Sequence, residues 1–256
     1  MGTQPLKERV LIVGAGIFAE EIGAWCLEKG YPASVLTLDG WPAPELRPTL
    51  EAEARRSTLA VEALPYPPEA KQALVEILDA ALPPEALLLS LCLTISATQV
   101  AGWTRRPGRV VGFALLPPLS LGLPVELARP LPGDTGALER ARAWWQALGL
   151  SPVGVQDTVG MVHPRILCAL INEAAFAVME GVATPEDIDT AMKLGTNYPR
   201  GPLEWGDLIG LDLVVAILDA LEAEHRSGAY RAAPRLRQMV RAGLLGRKTG
   251  RGFYRW

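Results

Sequence analysis

Histidine and cysteine are scarce in this sequence of 256 residues. It contains two histidines, His163 and His225, and three cysteines, Cys26, Cys92 and Cys168. Two histidines this far apart exclude a histidine-rich metal site, and we expect no bound metal. The cysteines are odd in number and widely separated, which is typical of buried thiols in a reducing compartment and not of a disulfide framework.

Long hydrophobic runs and basic runs are also missing. The longest apolar run, residues 86–95, is far shorter than the ~20 residues that span a bilayer. The polar N-terminal segment has no apolar core of a secretory signal. With 28 acidic and 25 basic residues, the net charge is −3. We therefore expect a cytoplasmic protein that binds neither nucleic acid nor a membrane.

A strand–turn–helix–strand pattern opens the chain. Residues 9–13 form a β-branched run that ends in glycine, a helical pattern follows, and residues 34–39 are a second predicted strand. We expect Ile17, Ala24 and Leu27 to share the inner face of the helix. This unit is typical of the start of a doubly wound α/β domain.

The rest of the chain divides into a mixed part and a helical part. Further strands are predicted at 58–64, 87–94, 109–114, 125–128 and 152–156, and helices at 68–81, 96–103 and 135–147. Residues 40–57 fit no element. After Asp157 the pattern is helical, and Thr184 is a predicted helix cap. We expect a dinucleotide-binding domain over 1–157 and a helical domain over 158–256.

A glycine-rich motif follows the first strand. Residues 14–19, GAGIFA, fit G-x-G-x-x-[GA], in which Gly14 allows a tight turn, Gly16 lets a pyrophosphate approach and Ala19 permits close helix packing. Asp39, at the end of the second strand, is a candidate for binding ribose hydroxyls, which favours NAD over NADP. The alternatives are a tight turn without a ligand and an exposed turn acid.

Two long segments of the second half resemble a known family. Residues 172–212, from NEAAFAVMEG to IGLD, and residues 245–256, LGRKTGRGFYRW, are similar to the C-terminal domain of 3-hydroxyacyl-CoA dehydrogenases. GAGIFA, the VEAL strand and DTVGMV at 157–162 extend the resemblance over nearly the whole chain. It implies a Rossmann-type NAD-binding domain, a helical domain that forms a homodimer, and oxidation of a 3-hydroxyacyl substrate to its 3-keto form.

The family's polar catalytic positions depart from the pattern. Ala114 stands where the resemblance implies the catalytic histidine, and Pro117 where it implies the neighbouring asparagine. Leu93 takes the position of the substrate-binding serine, and Pro164 that of the asparagine in the second domain. The acid that orients the family's histidine is matched by Glu126.

The remaining polar candidates are Glu126 and His163. Glu126 is either a catalytic acid that has lost its partner or a solvated strand-end acid. His163 is either a replacement base, oriented by Glu126, or an ordinary histidine at a helix N-terminus. Only 22 residues separate Asp39 from Glu62, too few for a strand and the family's helical excursion that holds coenzyme A.

The resemblance implies one function, and the substitutions favour an alternative. The first is an NAD-dependent oxidoreductase that acts on a small hydroxyacyl or ketoacyl substrate, with or without coenzyme A. The alternative is an impaired or inactive family member that binds the dinucleotide in a regulatory or structural role. The basic tail, residues 247–256, is open to two interpretations, an anion patch or a segment that closes the helical domain against its neighbour.

Overall fold

The chain divides into two compact units. The computed structural model describes residues 8–38 and 44–256. The first unit comprises residues up to Leu115 together with Leu119–Met161, and the second comprises Leu116–Pro118 and Val162–Trp256. The sequence placed a domain boundary after residue 157, and the first unit continues four residues further, to Met161.

The first unit is built on one sheet. Within the described residues its strands are β1 (Val10–Gly14), β2 (Ala33–Thr37), β3 (Leu59–Ala63), β4 (Leu87–Leu91), β5 (Val110–Ala114), β6 (Pro124–Ala128) and β7 (Ser151–Val155). They lie in the order β2-β1-β3-β4-β5-β6-β7, and neighbours run parallel except for the antiparallel pair β5 and β6. The predicted α/β class is confirmed.

The central strands are mostly apolar because both faces of the sheet are covered. Every residue of β1, β3, β4 and β5 is buried, as expected for parallel strands between two helical layers. The chain passes from β1 to β2 on one side and to β3 on the other. Ligands of open α/β sheets bind beyond the carboxyl ends of the strands at such a reversal.

The segment that the sequence left unassigned contains a short helix. The helices of this unit are α1 (Gly16–Glu28), α2 (Arg47–Ala54), α3 (Pro68–Ala81), α4 (Ala97–Gly102) and α5 (Thr135–Leu148), with 3-10 turns at Pro44–Leu46 and Pro107–Arg109. Helix α2 buries only Leu50 and Ala54, one turn apart. On its exposed side Glu51 pairs with Arg47 at 3.0 Å and Arg55 at 3.1 Å.

The predicted inner face of α1 is wrong. Ile17 is 44% exposed and Leu27 60% exposed, and Ala24 is also exposed. The buried face holds Phe18, Ala19, Ile22, Trp25 and Cys26. Gly23 determines which face of α1 packs on the sheet, because a Cβ there would lie 2.4 Å from Cγ2 of Val35 on β2. The point of closest approach is a glycine, so apolar periodicity alone does not reveal it.

The second unit is helical, as predicted. Its helices within the described residues are α6 (His163–Met179), α7 (Pro185–Thr196), α8 (Pro202–Ile209), α9 (Leu211–His225) and α10 (Pro234–Arg241), with a 3-10 turn at Arg247–Thr249. Thr184 caps α7, and its side chain accepts a hydrogen bond from the Asp187 amide at 3.2 Å. In the described part of the chain, no helix combines the length and the apolarity of a membrane span.

A buried carboxylate fixes the C-terminal tail to this unit. Asp207 on α8 is fully buried and accepts hydrogen bonds from the amides of Phe253 and Tyr254, each at 2.9 Å, and from Nε1 of Trp256 at 3.0 Å. Burial raises the pKa of Asp207, and these three hydrogen bonds oppose the shift. The tail therefore closes the helical unit.

Candidate nucleotide and catalytic site

The glycine-rich loop connects β1 to α1. A Cβ on Gly14 would lie 2.5 Å from the backbone of Ala63, so the close approach of β3 permits no side chain there. Gly16 has a φ of +24°, and no atom lies within 4 Å of the position that its Cβ would take. The loop is therefore tight on the β3 side and open at Gly16, as an approaching pyrophosphate requires.

The N-terminus of α1 has the features of a phosphate site. Its N-cap residue, Ala15, offers no capping side chain, and the first turn contains no acidic residue. Phe18 and Ala19 bond back to the Ala15 carbonyl, while the amides of Gly16 and Ile17 precede the first intrahelical bond. Exposed amides and the positive end of the helix dipole favour an anion. These residues fit the pyrophosphate of NAD.

Ala19 and Asp39 were the other residues assigned to the nucleotide. Ala19 is fully buried on the inner face of α1, where a small side chain lets the helix approach the sheet. Asp39 lies outside the described residues, just beyond β2. The amide of Leu38 donates to the Gly14 carbonyl at 2.8 Å, which ties the end of β2 to the glycine loop.

Sequence reasoning missed a buried charged cluster near this edge of the sheet. Glu62 on β3 accepts hydrogen bonds from Nζ of Lys71, from Oγ of Ser90 at 2.6 Å and from the Leu64 amide at 2.7 Å. Nζ of Lys71 also donates to the Leu64 carbonyl at 2.9 Å. Glu62 and Ser90 are fully buried, and Lys71 is 1% exposed.

The cluster connects β3 and β4 near their carboxyl ends. Glu62 is the register partner of Ser90 on β4 and of Val13 on β1, one residue before the glycine loop. A buried ion pair is tolerated only when further hydrogen bonds satisfy both charges. A glutamate inside an otherwise apolar strand was the sequence signal, but its lysine partner lies on the next helix.

Ala114 and Glu126 face each other across the antiparallel pair. They are direct register partners at the end of β5 and in the middle of β6. Ala114 is 3% exposed and Glu126 is 6% exposed. Directly opposed residues have Cβ atoms about 4.5–5.5 Å apart. A side chain at position 114 therefore lies beside the Glu126 side chain. In this chain the side chain at position 114 is only the methyl group of alanine. The solvated-acid interpretation of Glu126 is wrong, because the residue is buried.

The other substituted positions are apolar and buried. Leu93 follows β4 and is fully buried. Pro164 is the second residue of α6 and is also buried. Neither side chain can donate a hydrogen bond to a substrate oxygen, and proline lacks its amide hydrogen as well.

His163 is the first residue of α6, and its side chain is exposed. It belongs to the second unit and Glu126 to the first. Their pairing therefore stays a prediction.

The three cysteines are buried, as predicted. Burial raises the pKa of the Cys26 and Cys92 thiols to about 12, and it raises the pKa of Cys168 as well. A thiol with so high a pKa is protonated at neutral pH and is a poor nucleophile. Among the residues that the structure describes, no three His, Cys, Asp or Glu side chains come together as metal ligands.

Two family models match consecutive parts of the chain. The model of the 3-hydroxyacyl-CoA dehydrogenase NAD binding domain matches residues 43–158, and that of the C-terminal domain matches residues 160–256. The match to the NAD binding domain begins at residue 43, after the glycine loop. The loop is therefore a candidate nucleotide-binding loop on its geometry alone.

Three similar proteins have 3-hydroxybutyryl-CoA dehydrogenase in their names. A probable 3-hydroxybutyryl-CoA dehydrogenase of Bacillus subtilis is 40% identical over 206 residues, which are 80% of this chain and 71% of the relative. The 3-hydroxybutyryl-CoA dehydrogenase of Bradyrhizobium diazoefficiens is 39% identical over 196 residues, 77% of this chain and 67% of the relative. The crystal structure of the (S)-3-hydroxybutyryl-CoA dehydrogenase of Ralstonia eutropha has a TM-score of 0.81 and 30% identity, and the match covers 98% of this chain and 99% of that one.

Proposed function

The chain belongs to the 3-hydroxyacyl-CoA dehydrogenase family and carries its NAD-binding domain, and we propose that it is an NAD-dependent oxidoreductase whose site lacks the general base. The reaction we assign is the interconversion of a 3-hydroxyacyl group and its 3-keto form. The observation that carries the proposal is the pairing of a buried alanine with a buried glutamate, Ala114 opposite Glu126.

The proposal gives the glycine loop the role of holding NAD. Gly14 and Gly16 let the backbone approach the pyrophosphate, the N-terminus of α1 binds its charge, and Ala19 lets α1 pack on the sheet. We assign the ribose hydroxyls to Asp39. Held by these residues, NAD would supply the hydride acceptor for oxidation of the carbon that carries the 3-hydroxyl group. Residues of the chain must then accept the proton of the 3-hydroxyl group and stabilise the charge on its oxygen.

Proton removal is the step that this chain performs poorly. The 3-hydroxyl must lose a proton as its carbon gives up a hydride, and a positioned base contributes about 10²–10⁴-fold to such a step. A methyl group at position 114 takes no proton. Glu126 is the register partner of that position, and we propose that it would orient a base placed there, although this chain has none at position 114.

Oxyanion stabilisation is reduced for the same reason. Loss of one donor to a developing oxyanion costs about 10²–10³ in rate. Leu93 and Pro164 offer no such donor. We therefore expect the wild-type chain to bind NADH and to reduce acetoacetyl-CoA far more slowly than its relatives.

His163 is a second candidate for the base. It has an exposed imidazole, but it lies at the N-terminus of α6. The family resemblance implies a base at position 114, opposite Glu126, and not at His163. We therefore rank His163 below position 114 as the position of a catalytic base.

The alternative is a chain that binds NAD without turnover and acts in a regulatory or structural role. Three apolar residues at the catalytic positions, Leu93, Ala114 and Pro164, favour it. Calorimetric titration with NADH and a turnover assay with acetoacetyl-CoA and other 3-keto substrates, with and without coenzyme A, separate the two. Binding with slow turnover supports the oxidoreductase, and binding with no turnover supports the alternative. Absence of NADH binding contradicts both.

We also propose that the second unit forms a homodimer. Three strongly exposed apolar side chains belong to α6, to α7 and to the turn between them: Ile166 is 62% exposed, Val182 70% and Leu194 83%. Together they are our candidate interaction surface, because a patch of exposed apolar residues marks such a surface. Light scattering should give a dimer for the wild type and a monomer for Val182→Asp with Leu194→Asp. Leu131→Asp, at an equally exposed leucine of the first unit, should stay dimeric. A monomeric wild type contradicts this proposal.

A further inference from the structure

A cavity of about 510 Å³ opens in the second unit, beside the C-terminal tail. The start of α7, one side of α10 and the tail residues Arg251–Arg255 surround it. A cavity of this size is within the range of small-molecule sites. Its residues play no part in the nucleotide or catalytic positions of the first unit.

Arginines dominate the rim of this cavity. Arg235 on α10 and Arg251 and Arg255 on the tail line it, against a single acid, Glu186. All three guanidinium groups belong to exposed residues, and none makes an ion pair with any residue in the described ranges. By contrast, neighbouring Arg237 pairs with Asp219. Three guanidinium groups against one carboxylate leave an excess of positive charge around the cavity, and such a potential attracts anions.

Several of the less exposed residues of the lining are apolar, and we call this part of the cavity its floor. Met239, Leu244 and Phe253 line it, and Met239 is 4% exposed. The tail cannot move away easily, because Asp207 holds the amide of Phe253. The cavity therefore joins a fixed hydrophobic surface to a cationic rim.

We propose that this cavity binds a small amphiphilic anion, with its charged head on Arg235, Arg251 and Arg255 and its short apolar chain on the floor. Guanidinium groups present paired N–H donors that match phosphate and carboxylate oxygens. The shared chemistry is an anionic head on an apolar chain, either a phosphate monoester or a fatty carboxylate. This inference does not depend on the function proposed for the first unit.

Calorimetric titration of the full chain tests the site. The probes are n-octyl phosphate and octanoate, each below its micelle-forming concentration, with inorganic phosphate and uncharged octyl glucoside as comparisons. We expect one site per chain for at least one amphiphilic anion, tighter than for either comparison and weaker at raised salt. Which of the two anions binds more tightly identifies the head group.

Single variants locate the binding. Arg251→Ala and Arg255→Ala should each weaken it about tenfold, because each removes a charge-assisted hydrogen bond. The matched control is Arg241→Ala, an exposed arginine on α10 that does not line the cavity. Saturating NADH should leave the titration unchanged. Equal binding of octyl glucoside, equal loss in the control, or competition by NADH overturns the proposal.

Discussion

Substituting histidine for Ala114 should restore the missing proton transfer. Ala114 is the register partner of Glu126, so an imidazole there can donate a ring N–H to the carboxylate and face the substrate with its other nitrogen. A base in this position raises rates about 10²–10⁴-fold, which is about 2.7–5.4 kcal/mol at about 1.36 kcal/mol per decade. We expect the lower end, because Leu93 and Pro164 still supply no oxyanion donor.

The packing cost of the substitution is tolerable. Ala114 is 3% exposed, and enlarging a buried side chain typically costs about 1–3 kcal/mol. For a chain of this length, each kcal/mol lowers Tm by about 2–4 °C. Ala114→His should therefore remain folded at assay temperature, and a melting curve followed by circular dichroism checks that it does.

The assay is NADH oxidation with acetoacetyl-CoA, followed with the pH varied. Glu126 should raise the pKa of the new imidazole above its ordinary value near 6.5. Ketone reduction needs the protonated form, so its rate should fall as pH rises through that pKa, whereas hydroxyl oxidation should rise. Ala114→Asn, polar but not titratable, is the matched control. A folded, NADH-binding Ala114→His that gains no more than Ala114→Asn refutes the reasoning.

Three further predictions concern the nucleotide loop, the buried cluster and the second histidine. Gly14→Ala should lower Tm and abolish NADH binding, because its Cβ would overlap β3. Gly16→Ala should keep more of its stability and lose NADH affinity. Equal melting curves for the two variants would count against the loop geometry. Lys71→Met should cost about 3–5 kcal/mol in denaturant unfolding, because it strands a buried carboxylate. The double variant Lys71→Met with Glu62→Leu should lose less unfolding free energy than Lys71→Met alone. A greater loss in the double variant would contradict a buried ion pair between the two residues. His163→Ala should leave ketone reduction unchanged, and a large loss would make His163 the base.

The fold was largely predictable because its central strands are buried on both faces. In β1 and β5 this leaves continuous apolar runs, and in β4 a run broken only by Ser90. Helix α2 was missed because it contributes only two apolar residues, Leu50 and Ala54, and its other positions are solvated. The face of α1 was wrong because Gly23 fixes it through backbone proximity, which carries no hydrophobic signal.

The site was predictable where it depends on local geometry. The tight turn that the motif describes is present, with Gly14 against Ala63 and open space at Gly16, and the nucleotide-binding roles of both glycines stay a prediction. The cluster of Glu62, Lys71 and Ser90 was not predictable, because it joins residues on two strands and a helix. Tertiary contacts of this kind leave only one trace in the sequence, a charge where an apolar strand residue is expected.

A single-turnover measurement on the wild-type chain tests the central claim most directly. The chain is loaded with NADH, binding is measured by calorimetry, and acetoacetyl-CoA is added in excess while NADH absorbance is followed. The account predicts NADH binding together with hydride transfer about 10²-fold or more slower than in Ala114→His. Fast transfer by the wild type, or no NADH binding at all, would contradict it.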